Sequence, residues 1–366
     1  MFEMKRYVNL VKLIIWISTI LMIVSISTSC MSGPLRDKWK QKQAFKNQDN
    51  ADISDAACDT NIPPIMNGYG SNGSYDMDIQ NLSNPMWRGK AISVFSPKGA
   101  SGKHPVIFFS HAFGATDWQK VYSPLMKHIV SLGYMVVFSP YPTVMASFDK
   151  RYDTLWSGFE LSVAKFGHKM DLTRVGFVGH SFGGGATPAM AYKGLVGKKW
   201  GSKGAFLYIM APWYSFQITS EKMEKYPDHV VLIMQIYDKD DVNDHRMAID
   251  VFKSIKLPAS QKHFQFIRSE SFNGCELVAD HATPARNPSL RLKQYAVFKP
   301  FDAVSDYVFD GDSGGNQYLL NIAKMDKINS YRPLSNEKDP RPKFPESIYK
   351  FSWNDRNNER RGLEKW

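Results

Sequence analysis

The stretch VGFVGHSFGGGATPAMA, Val175 to Ala191, changes character at Ser181: branched apolar residues precede it and small ones follow. The apolar half reads as a buried strand and the small half as a tightly packed helix, so Ser181 stands on the bend between them. Gly179-His180-Ser181-Phe182-Gly183 fits the pattern G-x-S-x-G. In such a turn, side chains at the flanks of the serine would clash, which is the physical reason for the glycines. A helix begun there also aims unpaired backbone N–H groups at whatever reacts at the serine.

Outward from this seam, short and nearly continuous apolar runs recur at 91–95, 106–109, 134–138, 205–209, 230–234 and 263–267. Runs of this kind are what buried parallel strands look like. Segments with helical spacing fall between or after them, at 118–132, 152–166, 183–192, 242–255 and 290–308. The alternation predicts an α/β fold with a doubly wound, mostly parallel sheet in a single catalytic domain over 85–329. Residues 1–29 read as an export signal and 30–84 as a tether leading into an irregular segment. Residues 330–366, crowded with Pro, Asn and alternating charges, read as an arm over the domain or a disordered tail.

A serine is a weak nucleophile until an adjacent base activates it, and that base needs an acid to orient it. After a strand, G-x-S-x-G turn and helix, the partners follow in the order Ser, Asp or Glu, His. Of the histidines, His281 stands in the loop after the last strand run, where the base is expected. The acid is expected just past 230–236, where the chain reads YDKDDVND; Asp240 is the first choice, with Asp241 and Asp238 as alternatives. An aspartate not used in this way would cap the next helix. Two N–H donors for a tetrahedral oxyanion are expected from Phe182, next to the serine, and from the loop 110–116, where Phe113 is the candidate and His111 shapes the loop.

These residues resemble the α/β-hydrolases, in particular the polyester hydrolase and cutinase-like branch close to the dienelactone-hydrolase type. The likeness rests on 105–118, 170–185, Ala211-Pro212-Trp213 with the acid strand, and 280–284, within roughly 90–312. It implies a carboxylic ester substrate cleaved through an acyl-enzyme, with no cofactor. It also implies that Phe113 and Trp213 flank the scissile ester, Trp213 having a buried core position as its other reading. Acyl transfer on the same residues, or a non-catalytic surface-binding lipoprotein with this fold, are the alternatives. The loops 213–240 and 269–280 look longer than is usual in that family, and they bear on substrate preference.

Lys5, Arg6 and Lys12 before the apolar run 13–26, followed by small residues and Cys30, resemble a bacterial lipoprotein signal. That resemblance implies lipidation at Cys30 and a membrane anchor; ordinary secretion to the periplasm or outside, and an uncleaved anchor, are the alternatives. With Cys30 lipidated, Cys58 and Cys275 remain as a disulfide pair or as two free thiols. The net charge of +11 is spread along the chain with no Lys/Arg block and no nucleic-acid motif. No His/Cys/Asp cluster has metal-ligand spacing, so no metal is expected.

Overall fold

Nine strands build the main sheet of the computed structural model, in the order β1-β2-β4-β3-β5-β6-β7-β8-β11. They are β1 (Met77–Ser83), β2 (Ala91–Pro97), β3 (His104–Ser110), β4 (Met135–Phe138), β5 (Met170–His180), β6 (Gly204–Met210), β7 (Val231–Tyr237), β8 (Lys262–Ile267) and β11 (Leu334–Glu337). A separate hairpin joins β9 (Glu270–Phe272) to β10 (Cys275–Leu277). The structure describes residues 64–272, 275–325 and 334–344, all within the unit Ala51–Trp366. The expected export signal, Cys30 and Cys58 lie outside the described residues, as does the side chain of Cys275.

From β4 through β3 and β5 to β8 the pairing is parallel. Every residue of β6 and of β7 is buried, because helices cover both faces of the parallel sheet. This is why these strands read in sequence as unbroken apolar runs. β2 differs: it pairs antiparallel with both β1 and β4.

The helices that matter to the site are α1 (Trp118–Val121), α2 (Ser123–Ser131), α3 (Phe148–Phe166), α4 (Phe182–Ala191) and α5 (Arg246–Ser254). α3 starts where Ser147 accepts the Lys150 N–H at 3.1 Å. It buries one face, Tyr152, Leu155 and Phe159 with the small residues Thr154, Gly158 and Ser162. Phe159 meets Phe108 of β3 at 5.1 Å between ring centres, and Phe108 stacks on Phe177 of β5 at 5.3 Å. Truncating a ring in such a cluster costs about 3–5 kcal/mol.

Several expectations need correction. The stretch 30–84 was expected to be irregular, yet Met77–Ser83 is strand β1; as a sheet margin it is mostly exposed and polar, so it lacks the apolar run that marks a buried strand. The preceding residues are also fixed: Asp302 accepts the Gly70 N–H at 2.6 Å and His128 Nε2 at 2.7 Å. The predicted helix 118–132 is two helices, because Pro124 sits in the first turn of a new one. The predicted helix 242–255 starts only at Arg246, since the aspartates before it are occupied in turns. The predicted helix 290–308 is interrupted by π-helical turns at Gln294–Phe298 and Asp306–Asp310. From the C-terminal segment, Leu334–Glu337 pairs antiparallel with β8 as β11.

One carboxylate near that last π turn carries a pH signature. Burial, then the neighbouring Asp302, Asp310 and Asp312, push the Asp306 carboxyl up to about 6. The folded protein then holds a proton that the unfolded chain has already released, so this site's contribution is full below about pH 4 and lost as pH rises through about 6. Asp306→Asn is expected to raise stability at pH 7.5 by about 1 kcal/mol after allowance for solvent screening. The gain should vanish below about pH 4. Thermal melting across that range checks it, and an equal gain at every pH would refute the electrostatic cause.

Candidate active site

Ser181 caps α4 with φ 57° and ψ −121°, a left-handed conformation that is strained for any residue with a side chain. Backbone bonds hold it there: Ser181 N–H donates to Met210 O at 2.9 Å, and Ser181 O accepts from Trp213 N at 2.8 Å and Gly185 N at 3.0 Å. A Cβ at Gly179 would collide with Thr187 Oγ1 and Gly183 O, and one at Gly183 with Ser110 O. Only glycine lets β3, β5 and α4 approach this closely, and the turn lifts Ser181 out of the sheet as a result.

The aspartates of the loop after β7 face different partners. Asp240 Oδ1 accepts the backbone N–H groups of Val242 at 2.9 Å and Asn243 at 3.0 Å, and Oδ2 lies 2.8 Å from His281 Nδ1. Asp238 faces Ser269, accepting its N–H at 2.9 Å and its O–H at 2.6 Å. Asp241 is exposed, and Asp244 forms a two-pronged pair with Arg246. Asp238 is thus a brace: Ser269 Oγ in turn accepts the Ala279 N–H at 2.8 Å, which anchors the loop that carries His281.

With Nδ1 of His281 committed to a carboxylate, Nε2 is the nitrogen left to act. His281 Nε2 and Ser181 Oγ are both buried and neither has a hydrogen-bond partner among the described residues. A proton passing from serine to imidazole would travel between these two atoms. Backbone donors for an oxyanion are also available, since neither the Phe113 nor the Phe182 N–H is hydrogen-bonded among the described residues.

The Phe113 loop owes its shape to His111. Its ring stacks on Tyr141 at 4.1 Å and 3°, its Nδ1–H donates to Ala112 O at 2.7 Å, and Tyr141 O–H donates to His111 O at 2.8 Å. Burial pushes this histidine down to about 3, so it is neutral and takes no part in proton transfer at ordinary pH.

An aromatic cluster adjoins the serine. Trp213 lies 5.7 Å from the rings of both Phe148 and Phe182 and is only 3% exposed. Its ring is part of the core, which fits the second of its two readings, while Phe113, Phe148, Tyr214 and Phe216 keep part of their surface open. Beneath Phe113, Phe148 and Phe182 sits the guanidinium of Arg151, 5.2, 5.5 and 5.7 Å from their ring centres. It donates to Pro142 O and Thr143 O at 3.1 and 3.0 Å and makes no ion pair among the described residues.

Sequence reasoning passed over His180, Tyr122 and Arg151. In sequence His180 reads only as the variable position of the G-x-S-x-G turn, and Tyr122 and Arg151 carry no local signal of proximity to the serine.

The mostly parallel sheet order and the strained serine turn are those of an α/β-hydrolase fold. A family model described as Chlorophyllase matches residues 67–198, the stretch from before β1 to just past Ser181 and α4. The match ends before Asp240 and His281. No curated protein matches the chain.

Proposed function

We propose that this protein is an exported serine hydrolase of carboxylic esters, anchored to a bacterial membrane through a lipidated Cys30. Ser181 Oγ attacks the ester carbonyl as His281 Nε2 takes its proton, and Asp240 holds the resulting imidazolium. The oxyanion is received by the Phe113 and Phe182 amides. His281 then protonates the departing alcohol as the ester C–O bond breaks. Water, deprotonated by the same nitrogen, releases the acid and frees Ser181.

The observation that carries this reading is the 2.8 Å contact between His281 Nδ1 and Asp240, together with a buried Ser181 hydroxyl and a buried His281 Nε2 that have no hydrogen-bond partner among the described residues. The likeness of 67–198 to the Chlorophyllase family supports ester hydrolysis as the reaction class. A fluorophosphonate probe tests it: labelling at Ser181 of the folded protein is expected, together with turnover of esters in a panel of increasing acyl length. Chlorophyll, the compound in the matched family's name, belongs in that panel. A folded protein that neither reacts with the probe nor turns over any ester would refute the proposal.

A further inference from the structure

We infer that Tyr122 and His180 are positioning residues that hold the oxyanion loop and the base in register with the nucleophile; the inference rests on the roles proposed above for Ser181, His281 and Phe113. Three loops, after β3, β5 and β10, must keep a common geometry although no hydrogen bond joins Ser181 to His281. A continuous bridge spans them. Ala112 N–H lies 3.0 Å from Tyr122 Oη, Tyr122 Oη lies 2.9 Å from His180 Nδ1, and His180 Nε2 lies 2.8 Å from His281 O.

The protons in this bridge can be assigned from chemistry. A carbonyl only accepts, so His180 Nε2 carries a hydrogen and donates it to His281 O. Burial, then the neighbouring His281, hold His180 well below the ordinary histidine range, so the ring is neutral and Nδ1 is a bare acceptor. Tyr122 therefore donates its O–H to Nδ1, while its oxygen accepts the Ala112 N–H. Tyr122 and His180 are both fully buried, so each bond removes a polar atom that would otherwise be stranded.

The ends of the bridge give it its function. One end is the residue preceding Phe113, whose amide is the second oxyanion donor; the other is the backbone of His281 itself. The middle is the neighbour of Ser181. Asp240 fixes the imidazole ring of His281, and His180 fixes the main chain from which that ring hangs. Holding both leaves the ring little freedom to drift from the serine, and small misplacements of reacting groups lower rates sharply.

The test compares Tyr122→Phe, His180→Gln and the double variant in the full chain, by kcat and KM on a soluble p-nitrophenyl ester, fluorophosphonate labelling and thermal melting. Tyr122→Phe is expected to lower kcat about tenfold with KM within about twofold, and His180→Gln to lower it further. Because both residues act through one bridge, the double variant should be no worse than His180→Gln alone. A Tyr122→Phe enzyme with kcat within about twofold of wild type, losses that multiply, or a loss carried by KM would each overturn the inference. If His180→Gln does not fold, the kcat and KM of Tyr122→Phe still decide. Wild type that is neither labelled nor active would remove the proposed catalytic roles and this inference together. Labelled, active wild type with an unaffected Tyr122→Phe would remove the bridge alone.

Discussion

Ser181→Ala is expected to lower kcat on any ester substrate by on the order of 10^6-fold, while leaving the fold as stable as wild type or slightly more so. The loss is large because one atom is removed from which the covalent intermediate would form. The stability follows from the hydrogen bonds: Met210 O, Trp213 N and Gly185 N hold the strained turn through the backbone of residue 181, and Oγ has no hydrogen-bond partner among the described residues. Deleting a buried hydroxyl without a partner relieves a desolvation penalty of about 1 kcal/mol or more. Activity assays and melting curves on the same preparation check both halves. Retained turnover would place the nucleophile elsewhere, and a collapsed melting temperature would mean that the hydroxyl has a structural role.

The second large effect is expected at Asp240. Asp240→Asn keeps the size and can keep the bonds from Val242 N–H and Asn243 N–H, but its amide nitrogen cannot accept from His281 Nδ1. The imidazole then loses the partner that selects its tautomer and stabilises its charged form. A fall in kcat on the order of 10^4-fold is expected. Asp238→Asn is the control, since that carboxylate serves Ser269 and the loop behind it. It should reduce stability by about 1–3 kcal/mol while lowering kcat far less than Asp240→Asn does. The opposite ranking would make Asp238 the catalytic acid.

How much of this was legible in the sequence depends on what kind of signal each part leaves. Strands buried on both faces, such as β6 and β7, need apolar residues at every position, so they announced themselves. The margin strands β1 and β11 did not, because a half-solvated edge needs little hydrophobicity. The turn at Ser181 was legible because close packing admits only glycine at Gly179 and Gly183. His281 was legible by its order along the chain. Asp240 stood in a cluster of acids, and what separates it from Asp238 is which loop each faces, a matter of three-dimensional arrangement. Tyr122 and His180 meet across a sequence separation of 58, a partnership with no local trace. Arg151 was equally silent, since a basic residue on a helix reads as solvent-exposed until its cover of rings is seen.

Strand β11 bears on how the molecule behaves in company. A bare sheet margin offers a row of backbone donors and acceptors to any other extended chain. β8, with Phe264, Phe266 and Ile267, would be an adhesive margin of that kind. The C-terminal segment occupies it: Leu334 is buried against Ile267, Asn336 bonds Leu319 O, and Lys343 N–H donates to His245 Nε2 at 3.0 Å. At the far side, β1 presents Asp78, Asn81 and Ser83 to water with one exposed apolar residue, Ile79, a mostly polar margin. Residues remote from the serine thus guard solubility, and a product cleaved before Leu334 would offer its β8 margin to a second copy.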